Sequence, residues 1–275
     1  MTAVTNVFAQ GTAPGTGAMV KDLQGTLTVQ NGNNPPQPSK QGVPIPVGAV
    51  VRTGSGSSAM LIFADGQACS LGENSSFRVA SAACNPGNAA KNEMTLNLMS
   101  GSMRCVTGSI GQSNPAALRM QLGVITLGGD AASAPRADVS AVVQGGTAAV
   151  TVDRGSVVAF LPSGTPQPVT AGQGLFLGQN NAVTRGTAAQ IVQQIGTSPQ
   201  GSQMQQQFTA LQGLSQSMAQ TEAALASPAS AQQLFALFEC LPPPGDIALV
   251  PVLAVVSTPA TGAAGGGQPC GASCN

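Results

Sequence analysis

The sequence predicts a mainly β protein: a sandwich or solenoid-like body of short strands, then a helical hairpin and an extended C-terminal segment. Three observations predict it. Short runs of apolar and polar residues, punctuated by Gly, Asn, Asp and Pro, fill the chain from Val20 to Arg185. Beyond Arg185 the apolar spacing lengthens to three and four, one face of a helix. After Pro242-Pro243-Pro244-Gly245 a Val- and Leu-rich stretch leads into a Gly-Ala tail.

Residues 1–19 read as an extended arm rich in Gly, Thr and Ala, and residues 20–185 as the β domain. Leu23 to Val29 alternates and stops at Asn31-Gly32, a strong turn pair. Val47–Arg52 and Ser58–Phe63 are the next strand candidates, and Asp65-Gly66 fits a tight hairpin before Ala68-Cys69. Further runs are Ser76–Val79, Met94–Met99, Ser102–Val106, Leu118–Leu127, Val139–Val143, Ala148–Val152, Ser156–Leu161 and Gly174–Leu177. Leu71-Gly72-Glu73-Asn74 is echoed by Leu177-Gly178-Gln179-Asn180, which fits either a repeated unit or shared turn chemistry.

Residues 186–241 read as the helical hairpin. Thr187–Ile195 is helix-compatible, and Met204, Phe208, Leu211, Leu214, Met218, Glu222 and Leu225 form one face. Ser227-Pro228 supplies an N-cap and a first-turn proline for a second helix through Phe235 and Phe238. Residues 242–275 are the extended strand and Cys-containing tail. Ile247, Leu249, Val250, Val252, Leu253, Val255 and Val256 are apolar on both faces and are the candidate subunit contacts, although Pro251 forces a break or an edge there. The alternative is that this strand packs back on its own β body.

Composition narrows the function. Charged residues are 7 % of the chain, against about 25 % in ordinary soluble domains. A weakly charged surface repels its own copies poorly and favours association. The net charge is zero, yet residues 1–185 hold all ten basic groups and residues 186–275 hold none. That asymmetry fits chance in a charge-poor chain or weak fields orienting neighbours. Neither half carries the basic patch of a nucleic-acid binder.

With no His in 275 residues, His-based triads, His–metal sites and imidazole acid/base chemistry are excluded. No S-x-x-K element, P-loop, complete G-x-G-x-x-G context or evident carboxylate pair is present. No catalytic residue, cofactor, metal site or small-molecule substrate is therefore assigned. Six cysteines, Cys69, Cys84, Cys105, Cys240, Cys270 and Cys274, suit disulfides in an oxidising compartment, with pairing left open. Buried free thiols are the alternative, as is a thiolate metal site for the C-x3-C at Cys270 and Cys274. The run Ile247 to Val256 is half the ~20 residues a bilayer-spanning helix needs. Met1 to Gly11 lacks the parts of a complete signal peptide, so export is inferred from composition.

Several segments carry a family resemblance. Gly25-Thr26-Leu27-Thr28-Val29 is similar to an opening G-x-V-x-V strand, and Val47 to Thr53 to an L-x-x-G-D-x-V-x-T element. Ala59-Met60-Leu61-Ile62-Phe63-Ala64-Asp65-Gly66-Gln67 with Leu71-Gly72-Glu73-Asn74-Ser75 resembles A-x-L-x-F-x-D-G-S-x-x-x-L-x-x-N-S. Leu96 to Met103 resembles an L-x-L-x-x-G-x-L strand pair. Over about residues 20–185 the chain thus resembles the FecR domain family, an extracytoplasmic β module. Its v-R-G-T-x-F element has no good copy, Val124–Gly129 standing in its place. The membrane-spanning helix and cytoplasmic anti-sigma segment of signalling members find no counterpart in the sequence. Together these readings predict a non-enzymatic structural subunit of an extracellular or cell-surface assembly. Its partner would be itself, in a homo-oligomer or a polymer such as a fibre, with no nucleic acid and no membrane span. The alternative is a periplasmic FecR-like sensor, regulatory or binding module.

Overall fold

The computed structural model describes residues 15–83, 88–130, 136–161 and 164–225. The first half of the body holds β1 (Thr16–Gln24), β2 (Leu27–Gln30), β3 (Gln37–Pro38), β4 (Pro44–Pro46) and β5 (Val50–Thr53). It continues with β6 (Ser58–Ile62), β7 (Ala68–Leu71), β8 (Ser76–Ala83) and β9 (Glu93–Val106). A short helix, α1 (Ser109–Ser113), precedes β10 (Leu118–Leu122), β11 (Ile125–Gly128), β12 (Asp138–Gln144) and β13 (Thr147–Arg154). Then come β14 (Ser156–Phe160), β15 (Gln167–Thr170), β16 (Gln173–Leu177) and β17 (Val183–Thr187). The helices α2 (Ala188–Gly196), α3 (Gly201–Gly213) and α4 (Ser215–Leu225) follow.

The strands form two facing sheets, and the protein is mainly β with a few helices after the strands, as the sequence predicts. The inner sheet runs β4-β1-β6-β7-β9-β12-β13-β16-β17. The outer sheet runs β3-β2-β5-β8-β9-β10-β11-β14-β15. All neighbours are antiparallel except β9 and β10. Residues alternating inward from both sheets close a single apolar core, with Leu61, Leu71, Val139 and Val150 from one side and Phe77, Leu96, Met120 and Leu127 from the other.

Strand β9 belongs to both sheets. Its first half pairs with β8 and β10, and its second half with β7 and β12. The sequence suggests two strands here, Met94–Met99 and Ser102–Val106, because Ser100-Gly101-Ser102 looks like a turn. Instead Gly101, at φ +90°, bends one continuous strand from sheet to sheet. A Cβ at Gly101 would lie 2.4 Å from the Ser75 backbone, so only glycine fits. The run Leu118–Leu127 is the opposite case, one expected run that is two strands divided at Gly123 into the hairpin β10–β11. Strand β1 begins at Thr16, inside the segment read as an arm.

The echo at Leu71 and Leu177 is turn chemistry and not a repeat. Leu71–Asn74 carries the chain from the inner sheet to the outer one, whereas Leu177–Asn180 closes the β16–β17 hairpin within the inner sheet. Both segments lead to an asparagine at positive φ, Asn74 at 53° and Asn181 at 59°.

Helices cover the far face of the inner sheet. Thr187 caps α2 with a reciprocal box, its hydroxyl accepting from the Gln190 N–H while the Gln190 side chain accepts from the Thr187 N–H. Ile191 and Ile195 of α2 with Met204, Phe208 and Leu211 of α3 pack on Val142, Ala149 and Phe176. Met218 of α4 packs on Met60, Ile62 and Val106. The predicted face Met204, Phe208, Leu211 and Met218 is thus buried, although the helix breaks at Leu214 into α3 and α4. The second hairpin helix with Phe235 and Phe238, and the strand Ile247–Val256, lie outside the described residues.

Candidate functional site

The most polar buried site lies between the inner sheet and the helices. In β9, Met103 and Cys105 point into the core, which turns Ser102, Arg104 and Val106 toward the helices. Arg104 sits opposite Ser70 of β7 and Ser140 of β12, and Ser140 sits opposite Thr151 of β13, so one polar row crosses the sheet beneath α3. The Arg104 side chain is 4 % exposed. Its Nε donates to Asp138 Oδ1 at 3.0 Å and its Nη2 to Asp138 Oδ2 at 2.9 Å, a bidentate fork. Nη2 also meets Asp153 Oδ2 at 2.9 Å, and Nη1 donates to the Leu211 carbonyl at 3.3 Å. That carbonyl belongs to the last turn of α3, where the helix dipole favours a cation. Arg154, next along β13, pairs with Glu222 of α4.

Desolvation raises the Asp153 carboxyl above its ordinary range, with Arg104 opposing and Asp138 reinforcing the shift. The cluster thus ties β9, β12 and β13 to the end of α3, and a neighbouring ion pair ties α4 to the same sheet. The cluster is a structural joint between strands and helices.

A second buried carboxylate, Asp65, lies in the β6–β7 turn that the sequence predicts at Asp65-Gly66. It accepts from the Gln67 N–H at 3.0 Å and the Ile110 N–H at 3.4 Å, while its own carbonyl accepts from the Ser109 N–H at 2.9 Å. Arg136 Nη1 donates to the Gly66 carbonyl at 3.0 Å. Burial pushes the Asp65 carboxyl up, against those amide hydrogen bonds and the nearby Arg136. The D-G motif therefore anchors α1 to the hairpin.

Cys69 and Cys105 stand opposite each other on β7 and β9, Cα atoms 4.1 Å apart, and form a disulfide inside the core. Cys84, Cys240, Cys270 and Cys274 lie outside the described residues, as do the expected contact residues Ile247, Leu249, Val250, Val252, Leu253, Val255 and Val256. Among the described residues no group of three or more Cys, Asp or Glu is placed to hold a metal ion. No described helix is long and apolar enough to cross a membrane. Sequence reasoning missed Arg104, Asp138, Asp153 and Asp65 as a set. The available signal was one arginine inside the otherwise uncharged run Ser102–Val106.

Fold and site together define a two-sheet β domain with a helical layer riveted to one face. Residues 49–158, less than half of the chain, match the family described as FecR protein. Two crystal structures of a "putative anti-sigma factor" from Parabacteroides distasonis, at 1.65 and 2.50 Å resolution, are similar at TM-scores of 0.39 and 0.38. Each is 10 % identical and covers 50 % of this chain, which spans 59 % of the length of that protein's chain. No curated protein matches the sequence.

The family match bears out the resemblance and corrects the functional expectation. A polymeric fibre subunit partnered with itself is overturned, because FecR proteins are regulatory modules that work with other proteins. The physical error was to take low surface charge as a sign of polymerisation. Low charge weakens repulsion between copies without building an interface between them. The sheet margins argue the same way: β3, β4 and β15 contain proline, and β17 presents Arg185, features that blunt an edge against strand addition.

Proposed function

We propose that this chain is an extracytoplasmic regulatory or sensor module of the FecR type, acting in the periplasm by contact with another protein and without catalysis. The observation that carries the reading is the family match over residues 49–158. That span reaches from the residue before β5 into β14 and includes β9, the strand joining both sheets. The Cys69–Cys105 disulfide supports an oxidising compartment. The buried Arg104 cluster supports a role in shape, since its charges are spent on one another and on α3.

The test is deletion of the gene with transcript profiling, followed by complementation with the full chain. A regulatory module changes the expression of a restricted gene set, and the chain restores it. Unchanged transcripts under every growth condition that expresses the protein would remove the reading. Acid-trapping of thiols in the complemented cells checks the compartment: the Cys69 and Cys105 peptides become alkylated only after reduction if the protein is periplasmic.

A further inference from the structure

The two broad faces of the molecule differ in how their charges are used. On the helix side Arg104 and Arg154 are paired with carboxylates. Among the described residues α2, α3 and α4 lie against the inner sheet, and the outward face of the outer sheet carries Arg52, Arg78 and Arg119 on β5, β8 and β10. None of the three meets an acid among the described residues. Arg52 Nη1 donates to Gln30 Oε1 at 2.9 Å, and Arg119 donates to the Pro115 and Leu118 carbonyls beside the Phe160 ring. Glu93 sits at the margin of this face, held by the Ser81 and Thr95 hydroxyls.

Register sets the arginines on one diagonal. Val50 pairs with Arg78 and Arg52 with Ser76, so Arg52 and Arg78 are diagonal neighbours about 7–8 Å apart. Arg78 lies opposite Asn97, Asn97 opposite Gln121, and Arg119 is two residues along the same strand. Met99, 40 % exposed, adds an apolar contact. Arg and Met are enriched at protein interfaces, and the arginine fork matches carboxylates.

We propose that this face docks an acidic surface of the partner protein, its carboxylates seated along the Arg52–Arg78–Arg119 diagonal. The proposal rests on the regulatory reading above. A cationic row among uncharged Thr, Asn and Gln attracts an acidic surface, speeds encounter and makes binding salt-sensitive.

The experiment has two arms on the full chain. In the first, a short oligoglutamate peptide is titrated while the arginine Nε–H signals are followed by NMR. Arg52 and Arg78 shift, Arg104 and Arg154 do not, and R52E/R78E/R119E weakens binding about tenfold or more at low salt. K21E, a charge reversal on the inner sheet, leaves binding unchanged. Equal loss in K21E, or no loss in the triple variant, overturns the proposal. In the second arm a photo-crosslinking amino acid replaces Gln121 on the outer sheet or Gln193 on α2 in cells. Capture of a different protein at Gln121, abolished by R78E and restored by reversing an acid on that protein to Lys, supports it. Capture at Gln193 alone overturns the docking face and leaves the regulatory reading standing. Capture of only this chain's own copies, with unchanged transcripts, overturns both.

Discussion

The inner sheet has two faces built on different principles. Its face toward the outer sheet is apolar throughout, with Leu61, Leu71, Val139, Val150 and Leu175 closing on Phe77 and Leu96 and with the Cys69–Cys105 disulfide inside. Its face toward the helices is apolar only at the two ends, around Met60 and Met218 and around Phe176 and Phe208. Between those ends lies the polar row of Ser70, Arg104, Ser140 and Thr151. Thr151 Oγ1, Ser102 Oγ and Gln207 Oε1 are buried there without a hydrogen-bond partner among the described residues. A group in that position costs about 1–3 kcal/mol relative to a satisfied one. The comparison teaches that burial alone does not rank the two interfaces. The inter-sheet core is held by area, which tolerates small shifts. The helix layer is held by a few directional contacts, which do not.

Breaking the apolar side has the largest expected effect. Phe77 is fully buried between the sheets, and Phe77→Ala is expected to cost about 3–5 kcal/mol by lost transfer energy and an unfilled cavity. Chemical denaturation followed by circular dichroism reads it as an earlier midpoint with strand and helix signals lost together. Loss of the helix signal alone would show that the inter-sheet core is not what holds the body together.

Breaking the polar side comes next. Arg104→Ala leaves Asp138 and Asp153 facing each other without their cation, and removing one partner of a buried pair costs about 3–5 kcal/mol. The low end, about 3 kcal/mol, is expected because the Asp138 and Asp153 side chains keep 13 % and 26 % exposure. Hydrogen exchange locates the effect: protection falls first in α3 and α4 and only later in β6, β7 and β12. A uniform loss across the strands would mean that the helix layer and the inter-sheet core form one cooperative unit.

The contrast between the faces also explains what could be read from sequence. Inward residues of the body alternate with turn residues at short range, so strands such as Ser58–Ile62 and the Asp65-Gly66 turn were legible. The helix face Met204, Phe208, Leu211 and Met218 was legible from its spacing of three and four. The joint was not. Arg104 meets Asp138 and Asp153 across three strands, and no local pattern links residues so far apart. The continuity of β9 was hidden because a glycine that bends a strand looks like one that ends it. The function was misread because composition describes how surfaces repel and says nothing of which surface is made to bind.

The smallest expected effect comes from the Asp153 carboxyl, and its sign is distinctive. Burial raises its pKa in the folded protein, while in the unfolded chain it titrates at the ordinary value of about 3.9. Between those two values the folded state holds more protons than the unfolded state, so stability falls as pH rises through the window. Below it both states are protonated and the effect vanishes. Above it the penalty of holding a desolvated charge is constant. Asp65, also raised by burial, gives a slope of the same sign, but its hydrogen bonds reach Gln67 and Ile110 and none of the helices α2–α4. Asp153→Asn should therefore flatten the pH dependence of hydrogen exchange in α3 and α4 while leaving that of β6 and β7 in place. Asp65→Asn should do the reverse. If both variants flatten both regions equally, the two faces of the inner sheet are coupled, and their apparent independence fails.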